Sequence, residues 1–328
     1  MKVLIVTHSH DDEGVNEVIS NLKKNGVGVF RFNTDLYPTQ VELSSHYTNT
    51  IEENTVSYQG ISHCLSTFDA IWYRRNHIGE DLPEEMLEVH KSPAIEEAKA
   101  TLNGVLASWG IDKFTLDNLK DHRYAANKQL QLKVASRLGL NIPQTLLSNS
   151  PGRVKSFIEQ YTAVISKTHY SFSIIDEQDQ EYRVYSQKWQ PHELQDLDWL
   201  VYSPLIFQEY IEKAYELRVI IVGDQVFCGK IPSQTSEKGK VDWRKDHKLM
   251  ENLECYKLPE GIQLRLLRLM DYFRLNYGAI DLIKTPEGEY IFLEINPVGE
   301  FYWIDNLYDQ KIAQAIADVL VNKVWRRN

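Results

Sequence analysis

Two short runs near the C-terminus set oxygen ligands inside apolar sequence. In YIFLEINPVGEFYW, residues 290–303, Glu294 and Asn296 interrupt a strand-like stretch; in YGAIDLIK, residues 277–284, Asp281 does the same. Side chains two apart on a strand share a face, so Glu294 and Asn296 project together, and Pro297 ends the ladder. A Thr-Pro-Glu-Gly turn joins the two runs as a hairpin and brings Asp281 near the other two. Two carboxylates and an amide oxygen suit Mg²⁺, a hard cation that keeps several waters and is completed by nucleotide phosphates. Each acid alone is an ordinary turn residue. All three together, at strand ends inside apolar runs, would bury negative charge at high cost without a cation.

Cations for the opposite role are spread upstream. Lys167 follows the apolar strand of AVISKTHY, Lys128 lies on a helix beginning NKQLQ, and Arg218 interrupts the apolar run of ELRVIIV. Singly, each is an ordinary surface residue. A nucleoside triphosphate carries about four negative charges, and its transfer is stabilised mainly by positioned cations and metal. The extended LIFQEYI, with Gln208, Glu209 and Ile211, could offer backbone groups to an adenine edge, as any strand could.

The elements that must position these residues are legible as patterns. KVLIVTHS, a helix over Glu13–Lys24 and GVGVFRFN make an opening β-α-β unit. A strand at 69–75 and a helical stretch from Pro83 to Trp109 complete an α/β domain without a GxGxxG loop, so nothing there argues for a dinucleotide. Thr7, His8, Ser9 and His10 end the first strand and read as a polar turn. A helix from Tyr124 to Leu138, closed by Gly139, opens the next part. Strands NIPQTLLS, TAVISKTHY and YRVYSQK surround a short helix near 153–160. PHELQDLDWL reads as a short acidic helix, and ELRVIIVGDQVFCGKI as a hairpin turning at Gly223-Asp224. Helices at 260–274 and 309–323 complete the set.

Composition narrows the partners. At 328 residues with 43% hydrophobic and 25% charged residues, this is an ordinary globular chain of two or three units. The net charge of −10 argues against a nucleic-acid or anionic-membrane surface. Three cysteines without metal-type spacing point to a reducing, cytoplasmic setting. The start MKVLIVTHSH is too short an apolar run for a signal peptide or a membrane span.

The order Lys128, Lys167, QEYI, ELR, Asp281, EIN resembles that of an ATP-grasp ligase. FRFNTDLYP, IWYRRN, NKQLQLKVASRLGLNIPQTLLSN, DWRK and LNYGAIDLI…YIFLEINPVGEF resemble the microviridin-type peptide macrocyclases, the graspetide ligases. The resemblance covers essentially the whole chain. It implies an α/β fold of the α+β ATP-grasp type: a pre-ATP-grasp domain over 1–120, a central domain over 121–205 and a C-terminal domain over 206–328, with the nucleotide between the last two. It implies ATP and Mg²⁺ as cofactors, with Asp281, Glu294 and Asn296 on the metal. Lys128 and Lys167 would carry phosphates, and Glu209 and Ile211 would frame adenine. Glu216 would reach the ribose or order Arg218, which would stabilise the transferred phosphoryl group. The substrate would be a ribosomal precursor peptide with a leader helix and an acid-rich core, whose Asp or Glu side chains are joined to Ser/Thr hydroxyls or a Lys amine. The family also leans toward a homodimer.

Within that reading, Arg244 of KGKVDWRKD would receive the incoming carboxylate in its planar fork. Asp242 and Glu300 are the candidate general bases. Glu193 and Asp196 would contact the leader, although an acidic run is usually a solvated face. One departure is the sequence after Lys167, THYSFSIIDEQDQE, which lacks the glycines many ATP-grasp ligases place over the phosphates. Two rivals remain: a ligase adding a free amino acid to a protein or small molecule, and a peptide receptor that binds ATP without turnover.

Overall fold

The structure is a computed structural model and describes residues 1–170, 173–175, 180–193 and 197–324. The N-terminal part runs β1 (Lys2–Thr7), α1 (Glu13–Lys24), β2 (Gly28–Asn33), β3 (Val41–Tyr47), β4 (Glu52–Tyr58), β5 (Ile61–Cys64), β6 (Ala70–Tyr73), α2 (Glu88–Asp112) and β7 (Phe114–Leu116). Strands β2-β1-β6-β7 form a parallel sheet, with β3-β4-β5 as a separate antiparallel one. Burial of Val3 to Val6 on both faces of β1 accounts for its continuous apolar run.

The middle part runs α3 (Leu119–Ala125), α4 (Lys128–Arg137), β8 (Thr145–Ser148), α5 (Pro151–Ile158), β9 (Val164–Lys167), β10 (Ser173–Ile175), β11 (Glu181–Arg183), β12 (Gln187–Trp189) and β13 (Leu205–Glu209). The single helix expected over Tyr124–Leu138 is two helices. The side-chain amide of Asn127 donates to the carbonyls of Arg123 at 2.9 Å and Tyr124 at 3.1 Å, closing α3 and leaving Lys128 to open α4. Strands β12-β9-β13-β8 form an antiparallel sheet with its own small core of Val154, Ile158, Val164, Leu197, Leu200 and Phe207.

The last part runs β14 (Tyr215–Val222), β15 (Gln225–Ile231), β16 (Glu254–Cys255), α6 (Glu260–Phe273), β17 (Tyr277–Lys284), β18 (Tyr290–Asn296), α7 (Tyr302–Asp305) and α8 (Lys311–Asn322). Its five strands are ordered β16-β15-β14-β17-β18. One face packs on α6 through Leu266, Leu269, Met270 and Phe273. The opposite side shares a core with the N-terminal sheet: Ile220, Ala279 and Phe227 join Val3, Ile5, Val15 and Val18, with Ile312, Ile316 and Leu320 of α8. Among the described residues no helix is long and apolar enough to cross a membrane.

Candidate active site

The β14-β17-β18 register lines up the charged side chains. Arg218 pairs with Asp281 across β14 and β17, and Asp281 with Glu294 across β17 and β18. A bulge then shifts the ladder, so that Leu282 opposes Phe292 rather than Leu293. The inserted residue breaks the two-residue period of IFLEIN. Phe292 and Ile295, three apart, both face the core, while Leu293, Glu294 and Asn296 line a cleft. That cleft has a volume of about 660 Å³. It is also lined by Lys128, Lys167, Gln208, Glu209, Ile211, Glu216, Arg218, Arg244 and Asp281.

Electrostatics at the metal-ligand candidates are strongly perturbed. Arg218 Nη1 donates to both carboxylate oxygens of Asp281 at 3.0 Å, and its Nη2 to the Glu300 carbonyl at 3.1 Å. Lys128 Nζ lies against Glu294 Oε2. Burial pushes the Glu294 carboxyl up, but Lys128 and Lys167 outweigh it and hold the group down at about 2. Burial raises the Asp281 carboxyl, with Arg218 opposing and Glu294 adding to the rise. Burial brings the Lys167 ammonium down to about 8. Among the described residues no cluster of three or more His, Cys, Asp or Glu forms a metal cage. Two adjacent carboxylates and an amide oxygen nonetheless fit Mg²⁺, an ion usually held by one or two carboxylates plus phosphates.

The adenine and ribose candidates line the same cleft. Gln208 is buried and donates to Thr145 Oγ1 at 3.0 Å, while Glu209 accepts from the Gln144 N–H at 2.8 Å. The partner of Glu216 is Lys213, at 2.8 Å, with Lys213 also donating to the Val241 carbonyl at 3.0 Å. Asp281, not Glu216, is therefore the carboxylate that orders Arg218. Burial outweighs Lys213 and pushes the Glu216 carboxyl up.

Two expectations change in substance. Arg244 does not offer an open fork: its Nε and Nη2 donate to Asp242 at 2.8 and 2.6 Å. Although burial opposes it, that pairing keeps the Asp242 carboxyl low, which makes it a poor base. Glu300, with a half-exposed side chain lining the cleft, is the better placed of the two. Glu193 sits outside the cleft on a 3-10 turn, Pro191–Glu193, where it accepts from the Gln190 N–H at 2.6 Å. The described ends of the expected acidic helix are this turn and a second, Asp198–Val201, whose Leu200 is buried in the small central core. Asp196 lies outside the described residues, as does part of the glycine-free stretch after Lys167.

Sequence reasoning missed three residues. Gln131, buried on α4, reaches the backbone of Ile295 like an extra strand: its Nε2 donates to the Ile295 carbonyl at 2.9 Å and its Oε1 accepts from the Ile295 N–H at 3.1 Å. It thereby fixes the residue between Glu294 and Asn296 to the helix that starts with Lys128. Arg74, 1% exposed, pairs with Asp11 and Asp12 and donates to the Gly299 carbonyl at 3.3 Å. A Cβ at Gly299 would lie 2.5 Å from Ala279 Cβ and 2.8 Å from Arg218 Nη2, so only glycine lets the loop pass. Arg75, next in sequence, lines the cleft. The adjacent arginines of IWYRRN were the available signal.

Comparison with known proteins agrees with this geometry. The chain matches the MvdD pre-ATP grasp domain over residues 2–123 and the RimK-like ATP-grasp domain over 125–320. It is similar to a solved Chryseobacterium gregarium RiPP-associated ATP-grasp ligase in complex with ADP and a leader and core peptide, with 37% identity and a TM-score of 0.93, covering 100% of this chain and 98% of that one. The macrocyclase MdnC from Microcystis aeruginosa MRC, bound with precursor peptide MdnA, gives 39% identity and 0.89, covering 98% and 100%. Among curated proteins, the alpha-aminoadipate–LysW ligase LysX of Sulfurisphaera tokodaii is 24% identical over 247 residues, 72% of this chain and 81% of that protein.

Proposed function

The chain belongs to the microviridin-type ATP-grasp macrocyclases, and from that premise we infer that it closes rings in a ribosomal precursor peptide. The observation that carries the reading is one cleft holding Lys128, Lys167, Arg218, Asp281, Glu294 and Asn296 together. A peptide carboxylate resists attack by an alcohol or amine. In this reading its oxygen attacks the γ-phosphorus of ATP, the bond to the bridging oxygen breaks, and ADP leaves. A Ser or Thr hydroxyl, or a Lys amine, of the same peptide then attacks the acyl phosphate carbon. Inorganic phosphate departs, the nucleophile's proton passes to Glu300, and an ester or amide remains.

Lys128 and Lys167 take phosphate oxygens, Arg218 steadies the transferred group, and Glu209 and Ile211 frame adenine through their backbones. Gln208 packs behind that frame, and Glu216 meets the ribose. Asp281, Glu294 and Asn296 hold Mg²⁺, which neutralises charge on the β- and γ-phosphates when bound. Arg244, locked to Asp242, presents its remaining donors to the reacting acid. Glu193 and Asp196 contact the leader helix.

The division at 1–120, 121–205 and 206–328 goes with this reading; the junction of the two domain matches at 123 and 125 supports the first boundary, whereas β13, with Phe207 in the small central core, pairs in the central sheet across the second. Three unpaired cysteines accord with a cytoplasmic enzyme. A homodimer is part of the proposal, to be checked by sedimentation.

The test is incubation with ATP, Mg²⁺ and a short acid-rich precursor peptide that carries a leader helix. Loss of one or more waters from the peptide is expected. A mass gain would instead make it a ligase that adds a free amino acid, and no ADP with any peptide would leave a receptor.

A further inference from the structure

Among the described residues three arginines line the cleft, and they are not equivalent. Arg218 lies against Asp281 at 3.0 Å, and the fork of Arg244 is filled by Asp242. Each of these two brings its own counter-charge. Arg75 holds its counter-charges more loosely: both Nη atoms donate to Glu300 Oε1 at 3.4 Å, and Nη1 lies 3.6 Å from Asp11 Oδ1. Charge-assisted contacts usually close to about 2.7–2.9 Å. Asp11 is already taken by Arg74 at 2.8 Å, and the Glu300 side chain is 53% exposed and able to turn to water. A pair this long and this wet holds little energy.

The placement of Arg75 is nonetheless fixed. Its neighbour Arg74 is buried and donates to the Gly299 carbonyl, so the end of β6 is tied to the loop that carries Glu300. The Glu300 carbonyl in turn accepts from Arg218 at 3.1 Å. Arg75 therefore stands beside Glu300, whose carbonyl meets Arg218 of the row Arg218, Asp281 and Glu294, on the wall supplied by the N-terminal part. Five N–H donors in a rigid fork, loosely held beside a phosphoryl-transfer row, make an incomplete carboxylate site.

We propose that Arg75 binds the side-chain carboxylate of the peptide Asp or Glu that is to be phosphorylated, displacing Glu300 from its loose contact. This deepens the macrocyclase reading and rests on it. A carboxylate oxygen attacks the γ-phosphorus through a lone pair that the fork leaves free, and the bond to the bridging oxygen of ADP breaks; Arg75 transfers no proton. The displaced Glu300 is left free to take the nucleophile's proton. The N-terminal part thus contributes acceptor recognition as well as a scaffold.

The test measures R75A and R75K with the same precursor peptide, following cyclised product by mass and acyl phosphate by hydroxylamine trapping. R75A should lose both by the same factor, 100-fold or more, while nucleotide and leader affinities stay within twofold of wild type. R75K should recover part of the rate, because a point charge replaces the fork. Hydroxamate formed at the wild-type rate by R75A would overturn the proposal. If R75A also loses nucleotide affinity, R75K decides: wild-type rates there mean charge alone suffices and the fork is not read. A wild-type enzyme that forms neither product nor hydroxamate sinks the macrocyclase reading itself, and this proposal with it.

Discussion

The ammonium of Lys128, first residue of α4, rests on the carboxylate of Glu294, which lies 166 residues away on β18. One lysine thus covers a carboxylate assigned to the metal, in a cleft that must also take phosphates. Under the proposed function, loading the site would require an exchange of partners, with Glu294 released to hold the ion and Lys128 to meet phosphate. The contact makes the two halves of the cleft depend on each other.

Glu294→Gln and Asp281→Asn should each cut peptide-dependent ADP release by at least about 100-fold, the scale expected when roughly 3 kcal/mol of transition-state charge compensation goes. Both side chains keep their shape, so melting curves should remain cooperative. Near-normal ADP release in either variant would remove that residue from the metal site.

Lys167 gives a pH signature. Burial brings its ammonium down to about 8 in the free enzyme, so above that pH the charge is lost. Bound phosphates favour the protonated form, so binding takes up a proton and affinity falls as pH rises. Between pH 8 and 9 the wild-type dissociation constant for ATP should worsen by up to about tenfold. Lys167→Arg stays charged across this range and should flatten the profile, measured by calorimetry at constant ionic strength. A wild-type affinity that does not change from pH 7 to 9 would take Lys167 off the phosphates.

Gln131→Leu should strip the Ile295 N–H and carbonyl of their partner. Leaving buried groups unpaired costs about 1–3 kcal/mol of stability. Because Ile295 sits between two proposed ligands, Mn²⁺ affinity in the presence of ADP should also fall, by about 10- to 100-fold. Electron paramagnetic resonance titration checks this. A drop in melting temperature with unchanged Mn²⁺ affinity would make Gln131 a packing residue only.

Arg244→Ala should slow cyclisation by roughly 30- to 1,000-fold, equivalent to about 2–4 kcal/mol, while nucleotide and leader affinities persist. Since the change also strands the buried Asp242, the double variant with Asp242→Asn separates the effects. Recovery of rate in the double variant would show that the single one failed through an unpaired carboxylate.

Glu193→Lys should weaken leader binding at low salt and spare ATP binding, because the side chain is exposed and lies outside the cleft. An unchanged leader dissociation constant would return this turn to a solvated surface.

The approach of Asp281 to Glu294 was legible because each residue interrupts an apolar strand, and an interruption there needs a partner; that Asp281 rather than Glu216 holds Arg218 was not. The hairpin turn at 285–288 fixed the Asp281–Glu294 approach. Other features were not legible, for identifiable reasons. The bulge at Leu293 leaves no mark in the apolar count, since Leu reads as core in either phase. The break at Asn127 depends on a side-chain amide closing α3, in sequence that is otherwise helical. The pairing of Arg244 with Asp242 hides in a polar loop, where neighbours two apart have no fixed relation. Arg75 and Arg74 look alike in sequence; only the packing of Gly299 and Asp11 makes one structural and leaves the other in the cleft.

Helix α8 covers a surface made by the start of the chain. Its Ile312, Ile316 and Leu320 complete the core that Val3, Ile5, Val15 and Val18 begin. Roughly 200 residues lie between β7 and α8, so at about 5–20 residues per second a ribosome needs on the order of 10–40 s to supply the covering helix. Until β14, β15 and β17 and then α8 arrive, the nascent N-terminal unit lacks the side chains that complete this core.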